Sequence, residues 1–158
     1  MDEHRWLQQI SRTKALDLLG SVRIGRLVFA PHGIPAIRPV NHLVEGESVI
    51  VRLTSGAAIT AAAGHGGLEV AYEADCIDSQ TQLGWSVIVT GTARLLTDEN
   101  AAARYRERLR PWITGAMDDV ITITAEVVTG YQLMAGDPVG TSAAGAAGPV
   151  GQRAASGR

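Results

Sequence analysis

The spacing of apolar positions changes along the chain. Near the start, Leu7, Ile10, Lys14 and Leu18 follow an i, i+3, i+4 rhythm that predicts helix through the first twenty residues. Ser11 is placed to cap a second helical segment and Gly20 to end it. After Gly25 the pattern becomes short apolar runs separated by turn residues. Arg26–Ala30, Ala36–Val44 and Ser48–Leu53 read as strands, the last two joined into an antiparallel hairpin by Glu45-Gly46-Glu47. Ala57–Ala63 reads as a short Ala-rich helix that ends in the turn Gly64-His65-Gly66-Gly67.

The second half repeats the strand pattern. Leu68–Ala74 alternates apolar with polar, and Trp85–Leu96 makes a long strand with Gly91 in its middle. A glycine there marks a bulge or a close backbone approach. Asp98 opens a helix that Pro111 helps to stop. Asp119–Val128 is the last long strand, continuing towards Tyr131-Gln132-Leu133. The order lacks regular strand–helix–strand alternation, which excludes a doubly wound parallel sheet. Six strands with short turns predict a mainly β protein, an antiparallel barrel closed on itself because closure removes exposed edges.

Composition narrows the function classes. With 158 residues and a net charge of −2, the chain has neither the length for many domains nor a field to hold nucleic acid or an anionic membrane. No apolar run approaches the roughly 20 residues that cross a bilayer. The charged amphipathic start is no signal peptide, so the expected location is cytoplasmic. Cys76 is the single cysteine, which excludes an internal disulfide framework, and no metal site is expected. From Ala135 to Arg158, six of 24 residues are Gly and seven are Ala, without periodicity. Residues 135–158 are therefore expected to be a disordered tail behind a single domain at 1–134.

Chemistry-bearing motifs are sparse. The chain has no G-x-S-x-G elbow, no H-E-x-x-H, no Walker loop and no G-x-G-x-x-G. His4, His32, His42 and His65 lack metal-ligand spacing, and Arg104–Arg110 reads as a solvated helix face. The positive charge is almost all guanidinium, because Lys14 is the only lysine. An anionic ligand would then meet Arg or backbone N–H groups. Arg38 and Arg52 on neighbouring strands, with Thr54-Ser55-Gly56 entering a helix, fit a phosphate site; outward-facing arginines explain the same pattern.

In order and spacing, Val22–Leu27, Gly33–Asn41, Arg52–Gly56, Glu73-Ala74-Asp75, Gly84–Val89, Pro111-Trp112 and the closing ITITAEVVTG resemble one family. That family is the FMN-binding split-barrel proteins related to pyridoxamine 5′-phosphate oxidase, closest in its small bacterial branch, over about Leu7 to Leu133. The resemblance implies a six-stranded split β-barrel, homodimeric, with flavin sites at the subunit interface. It implies that Pro39, Val40 and Asn41 lie along the isoalloxazine and that Arg52, Leu53, Thr54, Ser55 and Gly56 meet the phosphate and ribityl chain. Trp85 and Ser86 would approach from the neighbouring subunit, although Trp85 also reads as a core or interface anchor. Arg38 is a further candidate for the phosphate or a substrate anion.

Two positions depart from the family. Ala58 stands where a phosphate-contacting lysine is common, and Tyr131 where arginine is frequent. Losing one charged hydrogen bond to phosphate costs about 1.5–3 kcal/mol. The implied function is an FMN-dependent oxidoreductase acting on a small-molecule substrate. The alternatives are a reductase using the deazaflavin F420, and a non-catalytic flavin- or haem-binding or sensing module, with His42 as the haem ligand. Within this reading the cofactor carries the redox chemistry, and no side chain is assigned as catalytic acid or base.

Overall fold

The computed structural model describes residues 4–111 and 115–136. The expected tail therefore lies outside the described residues from 137 onward, as does Trp112. Ala135 instead ends the last strand, and Gly136 follows it as a described bend. Eight strands and three helices run in the order β1 (Arg5–Gln9), α1 (Arg12–Ser21), β2 (Ile24–Phe29), β3 (Ala36–Glu45), β4 (Ser48–Leu53), α2 (Ala58–Gly64), β5 (Leu68–Ile77), β6 (Gly84–Leu95), α3 (Glu99–Arg108), β7 (Asp119–Thr124) and β8 (Val127–Ala135). A single 3₁₀ turn, Pro31–Gly33, joins β2 to β3.

Six strands close a barrel in the order β6-β5-β2-β3-β4-β7, each antiparallel to its neighbour. Closure comes from β6, which is long enough to serve two partners on one edge. Its end, Ala93–Leu95, pairs with Ile121–Ile123 of β7, and its first part, Gly84–Thr90, pairs with β8. The expected six-stranded split barrel is what the chain builds, with β8 and β1 added as a flap beyond it.

The crossing from β7 to β8 falls on Gly91. A Cβ at this residue would lie 1.7 Å from the Thr124 carbonyl oxygen, a distance no side chain survives. The backbone approach expected of this glycine is therefore its role. Here the chain leaves β7, bonds Ala125 N–H to the Glu47 carbonyl and Glu126 N–H to the Thr90 carbonyl, and re-forms as β8. Arg12 of α1 holds the crossing from outside, donating to the carbonyls of Ala125 and Glu126 while pairing with Glu47 at 2.8 Å. The single strand expected over Asp119–Val128 is thus two strands. Local β-branched alternation carries no sign of a change of partner strand.

The other difference is at the start, where helix is expected and β1 is found. Ser11 caps α1 by accepting from the Lys14 N–H, so the helix begins at Arg12 and the residues before it are free to pair. They pair with β8, Trp6 opposite Met134 and Leu7 opposite Leu133. Tertiary pairing overrides a weak helical rhythm. The remaining elements keep their expected places within one to three residues.

The core is the barrel interior, with Leu27, Val49, Val51, Val87, Val89, Ile121 and Ile123 closed to solvent and α1 sealing one end through Ala15 and Leu19. A smaller cluster, Ile50, Ala102, Leu109 and Val120, attaches α3 to the outside of β4 and β7. Gly25 leaves room for the Tyr72 ring, whose hydroxyl would lie 2.6 Å from an added Cβ. Among the described residues no helix is long and apolar enough to cross a membrane.

Gly91→Ala is expected to cost about 3 kcal/mol or more, because the crossing must move before the methyl fits. Gly64→Ala, where the added Cβ would meet Leu95 at an ordinary 3.8 Å, is expected to change stability by less than about 1 kcal/mol. Urea unfolding of both variants measures the difference.

Candidate functional site

Strand β3 alternates between two environments. Its inward residues, among them Val40 and His42, join the barrel interior, while Pro39 and Asn41 face outward beside Ile24 of β2. Outside the barrel, the end of α3 with Leu109 and Pro111, and Met117 ahead of β7, stand over β3 and β4. The space between is a groove of about 250 Å³, mostly apolar, lined by Ile24, Pro39, Val40, Asn41, Arg52, Leu109, Pro111 and Met117. A second hollow of about 320 Å³ shares Pro39, Val40 and Met117 with it and reaches Arg38, Leu53, Thr54, Ala57 and Ala58. The pair has the size and lining of a small-ligand site.

The predicted residues divide accordingly. Arg38, Pro39, Val40, Asn41, Arg52, Leu53, Thr54 and Ala58 come together around these two hollows. Ser55 and Gly56 are adjacent in the chain, but their N–H groups are already used. Ser55 donates to the Ala116 carbonyl, Gly56 donates to the Asp119 carboxylate at 3.1 Å, and Ala57 bonds back to Thr54. Trp85 and Ser86 lie apart on β6. Trp85 packs inward against the main core, and Ser86 faces outward opposite Asp75 and Tyr131.

The two arginines differ sharply in engagement. Arg38 is exposed, makes one hydrogen bond to its own neighbour's carbonyl at Ile37, and has no carboxylate partner among the described residues. Arg52 donates to the carbonyls of Met117, Arg106 and Leu109, and sits 3.8 Å from Asp118. Asn41 adds another tie, its amide donating to the Arg110 carbonyl at 2.8 Å. Sequence reasoning did not find Leu109 and Met117, and it read Pro111 only as a helix stop and family marker; the three form the outer wall. Their signal is only that they follow a helix end.

Next to the groove is a polar recess of about 610 Å³ bordered by Arg23, Arg108 and Arg110 and sharing Asn41 and Leu109 with it. Arg108 pairs with Glu45 at 2.9 Å; Arg23 and Arg110 have no acidic partner among the described residues. On the outer face of the sheet, across from Pro39, Arg26 bridges Glu73 and Asp75 at 3.1 and 3.2 Å. Burial, then the neighbouring Asp75, hold the Glu73 carboxyl above its usual range, against the pull of Arg26.

His42 is 2% exposed, and both ring nitrogens are committed. Nε2 donates to the Leu19 carbonyl at 2.7 Å, which leaves Nδ1 to accept from the Tyr72 hydroxyl at 2.7 Å. Both ring nitrogens are engaged within the fold, so a haem ligated by His42 does not fit. The same burial raises the Tyr72 hydroxyl well above its ordinary pKa.

A barrel closed on a shared strand, with an apolar groove outside β3, is the split-barrel architecture. The chain belongs to the pyridoxamine 5′-phosphate oxidase family, whose sequence profile matches residues 11–142. It is 44% identical over 134 residues to the uncharacterized protein Rv0080 of Mycobacterium tuberculosis, covering 83% of this chain and 88% of that one. Among solved structures it is similar to a Corynebacterium glutamicum protein provisionally described as a pyridoxamine 5′-phosphate oxidase, at TM-score 0.67 and 26% identity, over 83% of this chain and 96% of that one. It is also similar to an FAD-binding protein of Mycobacterium smegmatis, at TM-score 0.61 and 29% identity, over 80% and 98% of the two chains.

Burial lowers the His42 pKa, partly offset by the Leu19 hydrogen bond. The unfolded chain then binds a proton at this residue that the folded chain refuses. Its contribution to stability is complete above the unfolded pKa of about 6.5 and declines as pH falls below it, by at most about 1.4 kcal/mol per pH unit. Imidazole ¹⁵N spectra recorded from pH 8 downwards should show His42 as the neutral Nε2–H form and taking up its proton at a lower pH than an ordinary imidazole. A ring that titrates near its ordinary value contradicts this.

Proposed function

We propose that the protein is a homodimeric flavin-dependent oxidoreductase whose cofactor is FMN. The observation that carries this reading is the apolar groove along the outer side of Pro39-Val40-Asn41, the segment that the family resemblance associates with the isoalloxazine. When bound, a flavin supplies hydride and single-electron transfer, and the protein's part is to hold and shield it. Pro39, Ile24 and Leu109 give the ring apolar walls. Asn41 has its amide nitrogen fixed on Arg110, which leaves its carbonyl oxygen to accept from the ligand. Arg38 is the cation for the phosphate end, in the hollow where Ala58 replaces a lysine. The FAD-binding relative makes the length of the cofactor's tail the open comparison.

The dimer reading is supported by the outer sheet face. By register, Val127, Thr90, Ala71, Val28 and Ile37 make one cross-strand row, and Leu7, Leu133, Gly84 and Ile77 another. Ile88 and Tyr131 lie between them on the same face. Six of the seven exposed large apolar residues among those described are here, Ile34 being the other. Between the rows the same face carries the paired Arg26, Glu73 and Asp75, so a second copy would meet apolar rows around a polar strip, as interfaces of about 800 Å² per partner commonly present. The face also carries Ser86 and runs to Pro39 at the groove, so a second copy would cover the groove from one side. The basic recess with Arg23 and Arg110 suits an anionic group on the electron acceptor.

Micromolar FMN is expected to lose fluorescence on mixing with the protein and to co-elute with it as a dimer. FAD and F420 titrated alongside rank the cofactors, and failure of FMN to bind sinks the FMN assignment. Ile88→Asp places a second carboxylate directly opposite Glu73 on this face. It is expected to give monomers and to weaken FMN by about tenfold or more, which sedimentation and fluorescence titration measure together.

A further inference from the structure

We infer that Arg52 is a positioning residue that latches the outer wall of the groove to the barrel, while reading the cofactor's anion falls to Arg38 alone. This rests on the flavin reading for its ligand but not for its geometry. The wall is the end of α3 together with the chain that returns to β7, two segments joined through residues outside those described. The Arg52 guanidinium ties both of them to the barrel. Nη1 of Arg52 donates to Arg106 and Leu109, the last carbonyls of α3, at 2.9 and 3.1 Å, and Nε donates to Met117 on the returning strand. Leu109 and Met117 are the residues that face Pro39 and Asn41 across the groove.

Chemistry assigns Arg52 to the wall rather than to a ligand. A guanidinium offers five N–H donors in a fixed fork. Here the Nε donor and the Nη1 group are spent on carbonyls. The remaining Nη2 faces the Asp118 carboxylate at 3.8 Å, with the side chain only 16% exposed. An incoming phosphate would have to displace three carbonyls from the guanidinium, and would meet Asp118 as it did so. Arg38 has none of these commitments. Carbonyls at a helix end also prefer a cation beside them, so a charged latch is worth more here than a neutral one.

The neighbouring contacts fit a latch. Arg106 donates to the Asp118 carbonyl at 2.7 Å while its other end pairs with Glu99, and Asn41 holds Arg110. These contacts approach the wall from α3 and β3, whereas Arg52 alone reaches both segments from β4. Lysine in its place would keep the charge but could not span three carbonyls, so charge and geometry are separable by substitution.

The test compares FMN with riboflavin, which has the same ring and no phosphate, on the full chain. Arg52→Met and Arg52→Lys are expected to weaken both ligands by a similar factor, about tenfold, since each loses a preformed wall. Arg38→Met is expected to weaken FMN by about tenfold and leave riboflavin unchanged. Hydrogen exchange at Leu109, Met117 and Asp118 is expected to speed up in both Arg52 variants. If Arg52→Met fails to fold, Arg52→Lys decides.

The inference is overturned if either Arg52 variant lowers FMN affinity to that of riboflavin while riboflavin binding is kept, for then Arg52 reads the phosphate. It is also overturned if exchange at the wall is unchanged. Should the unaltered protein bind neither ligand, the flavin reading fails by itself. Exchange then decides the latch alone, acceleration supporting it and no change removing it.

Discussion

Closure of the barrel depends on one close backbone approach. Strand β6 can serve β7 at one end and β8 at the other only if the chain crosses its edge between the two, and the crossing fits only over a residue with no side chain. Gly91 supplies that space, and Arg12 from α1 gathers the carbonyls that the crossing leaves outside the ladder. Because Ala125 also bonds to Glu47 in the β3–β4 hairpin, the crossing sets the position of the hairpin whose strands floor the groove. The site is therefore downstream of a contact on a different side of the barrel.

The chain's preference for arginine acquires a structural meaning from these contacts. Arg12 and Arg52 do similar work, each collecting main-chain carbonyls from segments distant in sequence, which a lysine's single nitrogen does poorly. Arg26 bridges two acids on the outer sheet, and Arg106 joins α3 to the segment before β7. Arg23, Arg38 and Arg110 lack acidic partners among the described residues, and all three border the hollows around β3. Structural and ligand-facing cations are thus separated by what surrounds them and not by residue type.

Much of the barrel was legible because strand alternation and turn residues are local properties. The Gly46 hairpin, the Asp98 cap and the long β6 with its central glycine all follow from neighbours within a few residues. Two features were not. β1 owes its form to pairing with β8, at the far end of the described chain. The break after Thr124 owes its place to Gly91, more than thirty residues earlier. The candidate site shows the same division. Its strand segment, Arg38–Asn41, was visible through a family pattern, while Leu109, Pro111 and Met117 sit in a stretch whose composition does not set them apart.

By itself the sequence determined a mainly β barrel with peripheral helices, the family, and the strand on which a ligand groove would form, since each depends on local alternation or on ordered motifs. Only the tertiary structure decided the use of each group. It gave both ring nitrogens of His42 hydrogen-bond partners, spent the Gly56 N–H on Asp119, and turned Arg52 towards three carbonyls while leaving Arg38 without a carboxylate partner among the described residues. The reason is that a polar group's chemistry depends on whether its bonds are already satisfied, and the partners that satisfy them come from segments that meet only after the barrel closes.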